Sequence, residues 1–354
     1  MSKSIPTPLE PNSEITGEFA LIESIFKTGA LAMANANPEN APALGIGDDC
    51  ALIQPKNGEL MAITSDLLLA GRHFFEDTDP YRLGKKSVAV NLSDLAAMGA
   101  KPIGFTLSLA LPVIDTDWIK AFAKGLFEEA QQYHCHLIGG DTCAGPLTIN
   151  ITALGSVPSN QGIRRSGARV NDDIWVSGLL GDARLALAHA RKEWALNLSS
   201  AQLTIINQRL HEPTPRIELG LALRGIANAA LDISDGLLGD LSHILRASNL
   251  SAQVWIDSLP LSDVLQEQEE HIRRQCAAAG GDDYELCFTA DVKHRPQIEK
   301  IASDLHIPLT RIGQILHKKE NMGGQGIVLL DQQNKPLEPE ETTKLLRSFD
   351  HFKA

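Results

Sequence analysis

The chain has 354 residues, of which 43% are hydrophobic and 21% are charged, so it has an ordinary globular composition and the length for two domains. A formal net charge of -12 argues against nucleic acid as a partner, because binding to a phosphate backbone requires a basic surface. The polar N-terminus has no apolar signal segment, and no apolar run reaches the ~18 residues of a membrane span. The sequence therefore predicts a cytoplasmic protein.

Hydrophobic spacing predicts the elements of the first half of the chain. Residues 1–16 are polar and predict a flexible arm, and a helix is expected from about Gly17, with Phe19, Ile22 and Phe26 at helical spacing. The further predicted elements are a strand at 60–66, a helix at 83–98 ended by Gly99, a strand at 104–111 with one apolar face, a helix at 116–133 capped by Asp115 or Thr116, and strands at 135–138 and 147–157.

The second half repeats a mixed pattern after a linker at 156–162, which contains Pro158. Its predicted elements are a strand at 174–176, a helix after Gly181, a strand at 231–233 leading into a helix at about 237–247, and strands at 252–256, 285–290 and 309–315. We therefore expect an α/β or α+β protein with domains at 17–158 and 162–354.

The cysteines predict neither a disulfide framework nor a zinc site. There are five of them, and no Cys-x-x-Cys pair occurs: Cys50, Cys135, Cys143, Cys276 and Cys287. We expect them to be small core residues in a reducing compartment. The common phosphate-binding loops GxxxxGK[ST] and GxGxxG, the HRD and GxSxG motifs and the HExxH zinc motif are also missing from the sequence.

Acidic residues beside glycine, hydroxyl or apolar neighbours recur in five stretches: Gly45–Asp49, Thr64–Asp66, Asn91–Asp94, Gly139–Thr142 and Asp232–Gly236. Taken alone, Asp235 is typical of a helix N-cap and each Gly-Asp-Asp of a turn. Asp94 is different, since a charge within a Leu/Ala/Met helix costs several kcal/mol to bury unless it is paired or metal-bound.

These five stretches favour one shared explanation. Mg²⁺ takes oxygen ligands and bridges carboxylates to phosphates, so it would convert an acidic cluster into a polyphosphate site. Two arginines stand in short motifs: Arg165 in Arg-Ser-Gly-Ala and Arg216 in Pro-Thr-Pro-Arg. Each could bind a phosphate with two hydrogen bonds or form an ordinary surface ion pair. The residues alone thus predict a Mg²⁺- and nucleotide-dependent enzyme.

The same motifs closely resemble the thiamine-monophosphate kinase family, within the aminoimidazole ribonucleotide synthetase-like superfamily. The matching stretches run in family order: GIGDDCAL (45–52), TSDLLLAGRHF (64–74), VNLSDLAAMGAKP (90–102), LIGGDT (137–142), RSGA (165–168), PTPR (213–216), DISDGL (232–237) and GGDDYELCF (280–288). The resemblance implies that superfamily's two-domain fold, with an N-terminal domain that binds ATP and metal and a C-terminal mixed α/β domain that completes the active site. It also implies a homodimer that pairs through its N-terminal domains in a β-barrel-like interface.

The implied reaction is the transfer of a phosphoryl group from ATP to thiamine monophosphate, the last step of thiamine diphosphate biosynthesis, with several Mg²⁺ ions. By motif match, the metal ligands are Asp48, Ser65, Asp66, Asp94, Asp141, Asp232 and Asp235. The implied ATP contacts are Gly140, Asp141, Arg165 and Ser234. The implied substrate contacts are His73, Glu285 and a C-terminal aromatic, for which we choose Phe349. Asp282 departs from the family, which usually has Glu at this position.

The nucleophile of this reaction is a phosphate monoester oxygen, whose second pKa of about 6 leaves it mostly deprotonated at neutral pH. No catalytic general base is therefore expected, and metal ions and Arg would act through position and charge. Two alternatives stay open. One is another enzyme of the superfamily, such as a selenophosphate synthetase-like or formylglycinamidine-cyclising enzyme, and the other is a dimer that senses Mg-ATP without transferring phosphate.

Overall fold

The computed structural model describes residues 18–38, 41–46, 50–51, 53–54, 56–318 and 326–346. It divides the chain into two compact units that interleave along the sequence. The first unit takes in the described residues up to Gln54 together with Ser65–Val88 and Pro102–Leu154, and the second takes in Pro55–Thr64, Ala89–Lys101 and Gly155 onward. The linear boundary expected at 158–162 stays a prediction. The expected arm at 1–16 and the assignments of Asp48 and Phe349 lie outside the described residues.

Helices and strands alternate in both halves, which confirms the mixed α/β prediction. The strands are β1 (Glu59–Leu69), β2 (Lys101–Leu111), β3 (His136–Ala144), β4 (Thr148–Pro158), β5 (Asp173–Ser177), β6 (Ala227–Asp232), β7 (Ser251–Trp255), β8 (Leu286–Ala290), β9 (Leu309–Leu316) and β10 (Ile327–Leu330). The helices are α1 (Glu18–Leu21), α2 (Thr28–Ala36), α3 (Pro80–Ala97), α4 (Thr116–Gln132), α5 (Asp182–Arg191), α6 (Ser200–His211), α7 (Ile217–Ala222), α8 (Leu237–Ser248), α9 (Asp263–Gln266), α10 (Glu270–Ala279), α11 (Arg295–Leu305) and α12 (Pro339–Leu345). A π-helical segment, Ile22–Lys27, joins α1 to α2.

The sheet that runs mainly through the first unit has the order β1-β4-β2-β3 among the strands that the structure describes. β2 and β3 are parallel and joined by α4, with Gly104 opposite His136 and Leu111 opposite Ala144. The apolar face predicted for β2 is confirmed, since Phe105 and its alternate neighbours are buried while Ser108 is exposed. The parallel pairing places Gly140 opposite Leu107 and Asp141 opposite Ser108, within both strands.

Capping residues set the starts and ends of the two long helices. α3 begins at Pro80, three residues before the predicted start, because the Asp79 carboxylate accepts the Arg82 N–H at 2.9 Å and Pro is favoured in a first turn. Its predicted end is confirmed, since Gly99 follows with φ of +61°. Asp115 is confirmed as the α4 N-cap and accepts the N–H groups of Asp117 and Trp118 at 3.1 Å each.

The second unit is built on a sheet whose described strands have the order β10-β7-β9-β5-β8-β6. Every residue of β5 is buried, and this strand pairs antiparallel with β8 and β9. Apolar side chains from α8 and from strands of this sheet form one core, which includes Ile174, Val176, Leu231, Leu237, Leu241, Ile244, Val254 and Ile312. The antiparallel pairing of β6 with β8 places Asp232 opposite Leu286, so the loops that hold Asp235 and Glu285 are neighbours.

The prediction that all five cysteines are core residues is wrong for two of them. Cys135, Cys276 and Cys287 are buried, whereas Cys50 and Cys143 are exposed. Cys143 shares a face of β3 with the exposed Asp141, two residues away, because side chains alternate along a strand. Among the described helices, none combines the length and the apolar character that a membrane span needs. The cytoplasmic location stays a prediction.

Candidate functional site

A cavity of about 150 Å³ in the second unit brings three predicted site residues together. Asp94 comes from α3, Arg165 from the loop before β5, and Asp232 from the end of β6. The other residues that line it are mostly small or aliphatic: Ala62, Ile63, Thr64, Leu95, Ala97, Met98, Ala230 and Leu231. Two carboxylates and one guanidinium thus face a largely apolar space, which is the chemistry of a small-molecule site with a few polar anchors.

Asp94 lies on the segment of α3 that belongs to the second unit, and its carboxylate accepts a short hydrogen bond from the Thr64 hydroxyl of β1. Burial raises the pKa of the Asp94 carboxyl, while the Thr64 hydrogen bond and the charge of Arg165 act in the opposite direction. We did not assign Thr64 a role from sequence. The signal that could have found it is its position beside Ser65 and Asp66 at the end of an apolar run.

The backbone around Arg165 is held by contacts to β6 and to the end of α8. The Ala230 N–H donates to the Arg164 carbonyl at 3.1 Å. The Ser248 hydroxyl accepts the N–H groups of Gly167 and Ala168 at 3.2 Å each. These bonds tie the exposed Arg165 to the same strand that carries Asp232, so its position at the cavity follows from the sheet.

The loop between β6 and α8 carries Ser234 and Asp235 and is fixed by the neighbouring loop at 280–285. The Asp282 N–H donates to the Ser234 carbonyl at 2.9 Å, and the Ile233 N–H donates to the Glu285 carbonyl at 2.8 Å. Gly236, with φ of +114°, is the N-cap of α8. The alternative in which Asp235 itself caps this helix therefore does not hold.

Asp240 is a further residue of this loop region that sequence reasoning missed. It lies in the first turn of α8 and is buried, and its Oδ2 accepts the N–H groups of Ser234 and Asp235 at 3.0 Å each. Burial, followed by the charge of Asp235, raises the pKa of Asp240 to about 7, and the two backbone hydrogen bonds oppose this rise. The signal that could have found it is an acid among the leucines of the first turn of a helix, directly behind the Asp232–Gly236 motif.

Ser65 and Asp66, two predicted metal ligands, lie on β1 in the first unit. The Ser65 hydroxyl is 2.9 Å from the Thr152 hydroxyl of β4 and accepts from the Asn150 amide at 3.1 Å. The same Asn150 amide donates to the Asp66 carbonyl at 2.9 Å. Asn150, which sequence reasoning did not single out, thus fixes the backbone and the hydroxyl of this pair.

Gly140 and Asp141 lie in the middle of β3, also in the first unit. A Cβ on Gly140 would sit 1.9 Å from the Leu107 carbonyl oxygen of β2, and the φ of +149° also favours glycine. Asp141 is exposed, and its Oδ1 accepts the Thr142 N–H at 2.9 Å. The close approach of β2 and β3 therefore requires glycine at position 140. The exposed carboxylate belongs to Asp141, the next residue in the chain.

His73, a predicted substrate contact, lies in the turn that follows β1. Its backbone N–H donates to the Leu69 carbonyl, and its Nδ1 accepts the Leu69 N–H at 3.0 Å. A neutral His73 ring held in this way carries its proton on Nε2, which makes Nε2–H a donor.

Glu285 is fully buried, and its carboxylate binds two arginines. It accepts from Arg209 at 2.7 Å and from the Arg216 Nε at 2.6 Å, and the Ser177 hydroxyl donates to it at 2.6 Å. Arg216, which was considered as a phosphate clamp, therefore forms an internal ion pair. The predicted substrate contact of Glu285 stays a prediction.

The Gly-Asp-Asp stretch at 281–283 is a loop with left-handed residues at Asp282 and Tyr284, whose φ values are +67° and +50°. Asp tolerates this region better than most residues with a side chain, so the departure from the usual Glu suits the backbone here. Asp283 is buried, and its carboxylate accepts the Gly181 N–H at 2.9 Å. Burial raises the pKa of Asp283 well above its ordinary value of 3.8, with the Gly181 N–H and Arg209 opposing the rise.

The raised pKa of Asp283 predicts that its ionisation lowers the free energy of unfolding as pH rises. A carboxyl whose folded-state pKa exceeds its unfolded value contributes stability that is present below the unfolded value and lost as pH rises through the folded value. Asp283→Asn mimics the protonated form, so its melting temperature should exceed that of the wild type by an amount that grows from pH 5 to pH 8. Calorimetry of both proteins measures this, with the exposed Asp304→Asn as the control. A gap that shrinks with rising pH contradicts the prediction.

The predicted metal ligands fit Mg²⁺ by donor chemistry, since all of them offer oxygen. Asp94 and Asp232 share the cavity, where burial already disfavours the charge on Asp94. Within the described ranges, no group of three or more His, Cys, Asp or Glu side chains is close enough to hold a metal ion by itself.

Comparisons with known proteins agree with the motifs. Residues 47–157 match the family AIR synthase related protein, N-terminal domain, and residues 169–323 match its C-terminal domain. The thiamine-monophosphate kinase of Haemophilus influenzae is 41% identical over 340 residues, which cover 95% of this chain and 98% of that protein. A crystal structure of thiamine-monophosphate kinase from Stenotrophomonas maltophilia is 47% identical with a TM-score of 0.78, and the match covers 85% of this chain and 94% of that one. AaThiL complexed with AMPPCP and TMP is 29% identical with a TM-score of 0.69, covering 95% and 97%.

Proposed function

The chain belongs to the thiamine-monophosphate kinase family of AIR synthase related proteins, and on this premise we propose that it phosphorylates thiamine monophosphate with ATP, giving thiamine diphosphate and ADP. The observation that carries the proposal is the meeting of Asp94, Arg165 and Asp232 at one cavity, each at its motif position. A relative of similar fold binds AMPPCP and TMP together, which supports both substrates. The reaction would complete the biosynthesis of thiamine diphosphate.

The residues that would hold Mg²⁺ are the described oxygen donors at motif positions: Ser65, Asp66, Asp94, Asp141, Asp232 and Asp235. Asp48 joins them by motif match alone. Mg²⁺ is commonly held by one or two carboxylates together with waters and substrate phosphates, so each of these residues needs to supply only part of a coordination shell. When bound, the metal would supply positive charge that screens the two anionic substrates from each other.

The chain's own residues would bind and orient the substrates rather than carry protons. An oxygen of the thiamine monophosphate phosphate attacks the γ-phosphorus of ATP, and the bond from that phosphorus to the β–γ bridging oxygen breaks as ADP leaves. Arg165, Gly140, Asp141 and Ser234 are the proposed contacts to ATP. Arg165 would place a guanidinium beside the phosphates, where it favours the charge of the transferred group. The attacking oxygen is already deprotonated at neutral pH, so no side chain is needed as a base.

His73, Glu285 and Phe349 are the proposed contacts to thiamine monophosphate. The Nε2–H of a neutral His73 can donate to a substrate oxygen, because Nδ1 is occupied by the Leu69 N–H. Phe349 would hold the cationic thiazolium by cation–π attraction, worth roughly 0.5–2 kcal/mol. Glu285 would act from within its ion-pair cluster with Arg209 and Arg216.

His73→Ala should mainly raise the KM for thiamine monophosphate, by about tenfold for the loss of one hydrogen bond of ~1.4 kcal/mol, and should leave kcat within about threefold. Steady-state kinetics with each substrate varied in turn measures both constants. His271→Ala, an exposed histidine on α10, is the control and should change neither. If His73→Ala has the wild-type KM for thiamine monophosphate, His73 does not contact this substrate.

We also propose that the chain is a homodimer that pairs through β1, which lies at an edge of its sheet. β1 exposes aliphatic side chains along its length: Leu60 at 51%, Ile63 at 66%, Leu67 at 49% and Leu69 at 37%. Among the described strands, β1 has a neighbour on one side only, and an edge strand with exposed apolar side chains favours association with a second copy. Leu67→Lys should therefore shift the protein to monomer in sedimentation equilibrium, whereas Val113→Lys, at an exposed aliphatic residue outside β1, should not. A wild-type protein that sediments as a monomer contradicts the proposal.

A coupled assay for thiamine diphosphate, with Mg²⁺ titrated at fixed ATP, tests the proposed function. We expect product only when thiamine monophosphate is present, and activity that continues to rise above the Mg²⁺ needed to form Mg-ATP. Phosphate release without thiamine monophosphate would favour another enzyme of the superfamily. Binding of Mg-ATP with no product would favour the nucleotide sensor. The 41% identity to a thiamine-monophosphate kinase across 95% of the chain favours the kinase over both.

A further inference from the structure

The side chain of Asp240 binds the backbone of the loop that carries Ser234 and Asp235, the proposed ATP contact and metal ligand. It lies on α8, four residues after the N-cap Gly236, and only 6% of it is exposed. A single carboxylate oxygen, Oδ2, is 3.0 Å from the Ser234 nitrogen and 3.0 Å from the Asp235 nitrogen. Two consecutive N–H groups are therefore turned inward onto one buried acceptor.

The loop is also held from its other side. The Ser234 carbonyl accepts the Asp282 N–H at 2.9 Å, and the Ile233 carbonyl accepts the Tyr284 N–H at 2.8 Å. At Gly236, a Cβ would lie 2.8 Å from the backbone of Ala279 at the end of α10, so the loop packs here too closely for a side chain. The Ser234 N–H and C=O and the Asp235 N–H are thus all hydrogen-bonded, and these bonds orient the backbone from which the Ser234 and Asp235 side chains leave.

We propose that Asp240 is a positioning residue for phosphoryl transfer, which acts by holding the Ser234 and Asp235 backbone through its buried carboxylate oxygen. This rests on the proposed function, in which Ser234 contacts ATP and Asp235 contacts the metal. Asp240 itself is not among the proposed contacts to either substrate. Its two hydrogen bonds require an oxygen lone pair at a given point, whereas a ligand or counter-ion would require a negative charge.

This distinction gives opposite expectations for two conservative changes. Asp240→Asn removes the charge but keeps an oxygen that can accept both N–H groups, so the loop should stay in place. Asp240→Glu keeps the charge but moves the carboxylate further from the backbone by one methylene, about 1.5 Å, so the loop should shift. Asp240→Leu keeps the branched shape with a larger side chain and removes the acceptor, which leaves two N–H groups unbound.

Hydrogen exchange on the metal-free and nucleotide-free protein is the primary measurement. The amides of Ser234 and Asp235 should exchange within threefold of the wild-type rate in Asp240→Asn, and at least tenfold faster in Asp240→Leu and Asp240→Glu. In the steady-state assay, Asp240→Asn should retain kcat and the KM for ATP within about threefold. Asp240→Glu and Asp240→Leu should lose at least tenfold in kcat/KM for ATP, because ATP binding and transfer both use the displaced loop.

Loss of activity in Asp240→Asn equal to that in Asp240→Glu would overturn the proposal, since the charge would then be the requirement. Unchanged exchange at Ser234 and Asp235 in Asp240→Leu would overturn it as well. If Asp240→Leu does not fold, the comparison of the Asn and Glu variants decides by itself. A wild-type protein that forms no thiamine diphosphate would refute the proposed function, and the exchange experiment would still test what Asp240 holds.

Discussion

Asp94→Asn is expected to lower kcat by on the order of 10³-fold while the protein remains folded. Asp94 lines the cavity with Asp232 and Arg165, and its carboxylate is the acidic group that sequence and structure single out most clearly. Removing one fixed charge that helps to bring two anionic substrates together costs ~4 kcal/mol in the transition state in comparable sites. Asn can still accept the Thr64 hydroxyl, so the hydrogen bond seen in the fold is preserved.

Thermal stability separates this effect from unfolding. Burial disfavours the charge on Asp94, so the neutral amide should melt at or above the wild-type temperature. Asp182→Asn is the matched control, because Asp182 is a buried acid in α5 that bonds to Ser262 and does not line the cavity that holds Asp94. This control should retain activity within a few fold. Normal activity in both Asp94→Asn and Asp141→Asn would contradict the proposed metal-assisted mechanism.

Glu285→Ala is expected to reduce the free energy of unfolding of the second unit by about 3–5 kcal/mol. Glu285 has no exposed surface and accepts hydrogen bonds from both Arg209 and Arg216, whose side chains are only 21% and 15% exposed. Without the carboxylate, both largely buried guanidinium groups would lose the acidic partner that they share. The Ser177 hydroxyl, which now donates to Glu285, would also lose its acceptor.

Denaturant unfolding followed by fluorescence measures this loss, since Trp175 in β5 lies within the second unit. Asp173→Ala is an informative comparison. Asp173 is as buried as Glu285 and also binds two arginines, Arg295 and Arg311, but these are 40% and 41% exposed and can be solvated by water. Asp173→Ala should therefore lower the free energy of unfolding by less than Glu285→Ala does. A Glu285→Ala protein of wild-type stability with a raised KM for thiamine monophosphate would show that Glu285 serves substrate binding alone.

The positions of the elements followed from patterns that are local in the chain. Alternation predicted the buried face of β2, an acid ahead of a helix predicted the Asp115 cap, and a glycine predicted the end of α3. Each of these depends on residues a few positions apart, whose geometry is set by the backbone. The start of α3 was missed by three residues because the Asp79 cap was overlooked, although the same local chemistry would have found it.

Family identity also came from the sequence alone, because motifs such as DISDGL and GGDDYEL are contiguous and can be matched without a fold. The side chains that bind these motif residues in the fold cannot be identified from the sequence by such matching. Thr64 binds Asp94 across 30 residues, and Arg216 binds Glu285 across 69. Only the tertiary structure could decide that Arg216 is committed to an internal ion pair, and that Glu285 is buried rather than exposed at a pocket.

The sequence by itself therefore determined which residues are acidic, where they stand in each strand or helix, and which family they resemble. The tertiary structure decided which of them share a space and how strongly each carboxyl is desolvated. Asp94 and Asp232 meet at one cavity because α3 and β6 approach within the second unit. The physical reason is that burial and charge pairing depend on neighbours distant in the chain, whereas propensity and capping depend on neighbours within one turn.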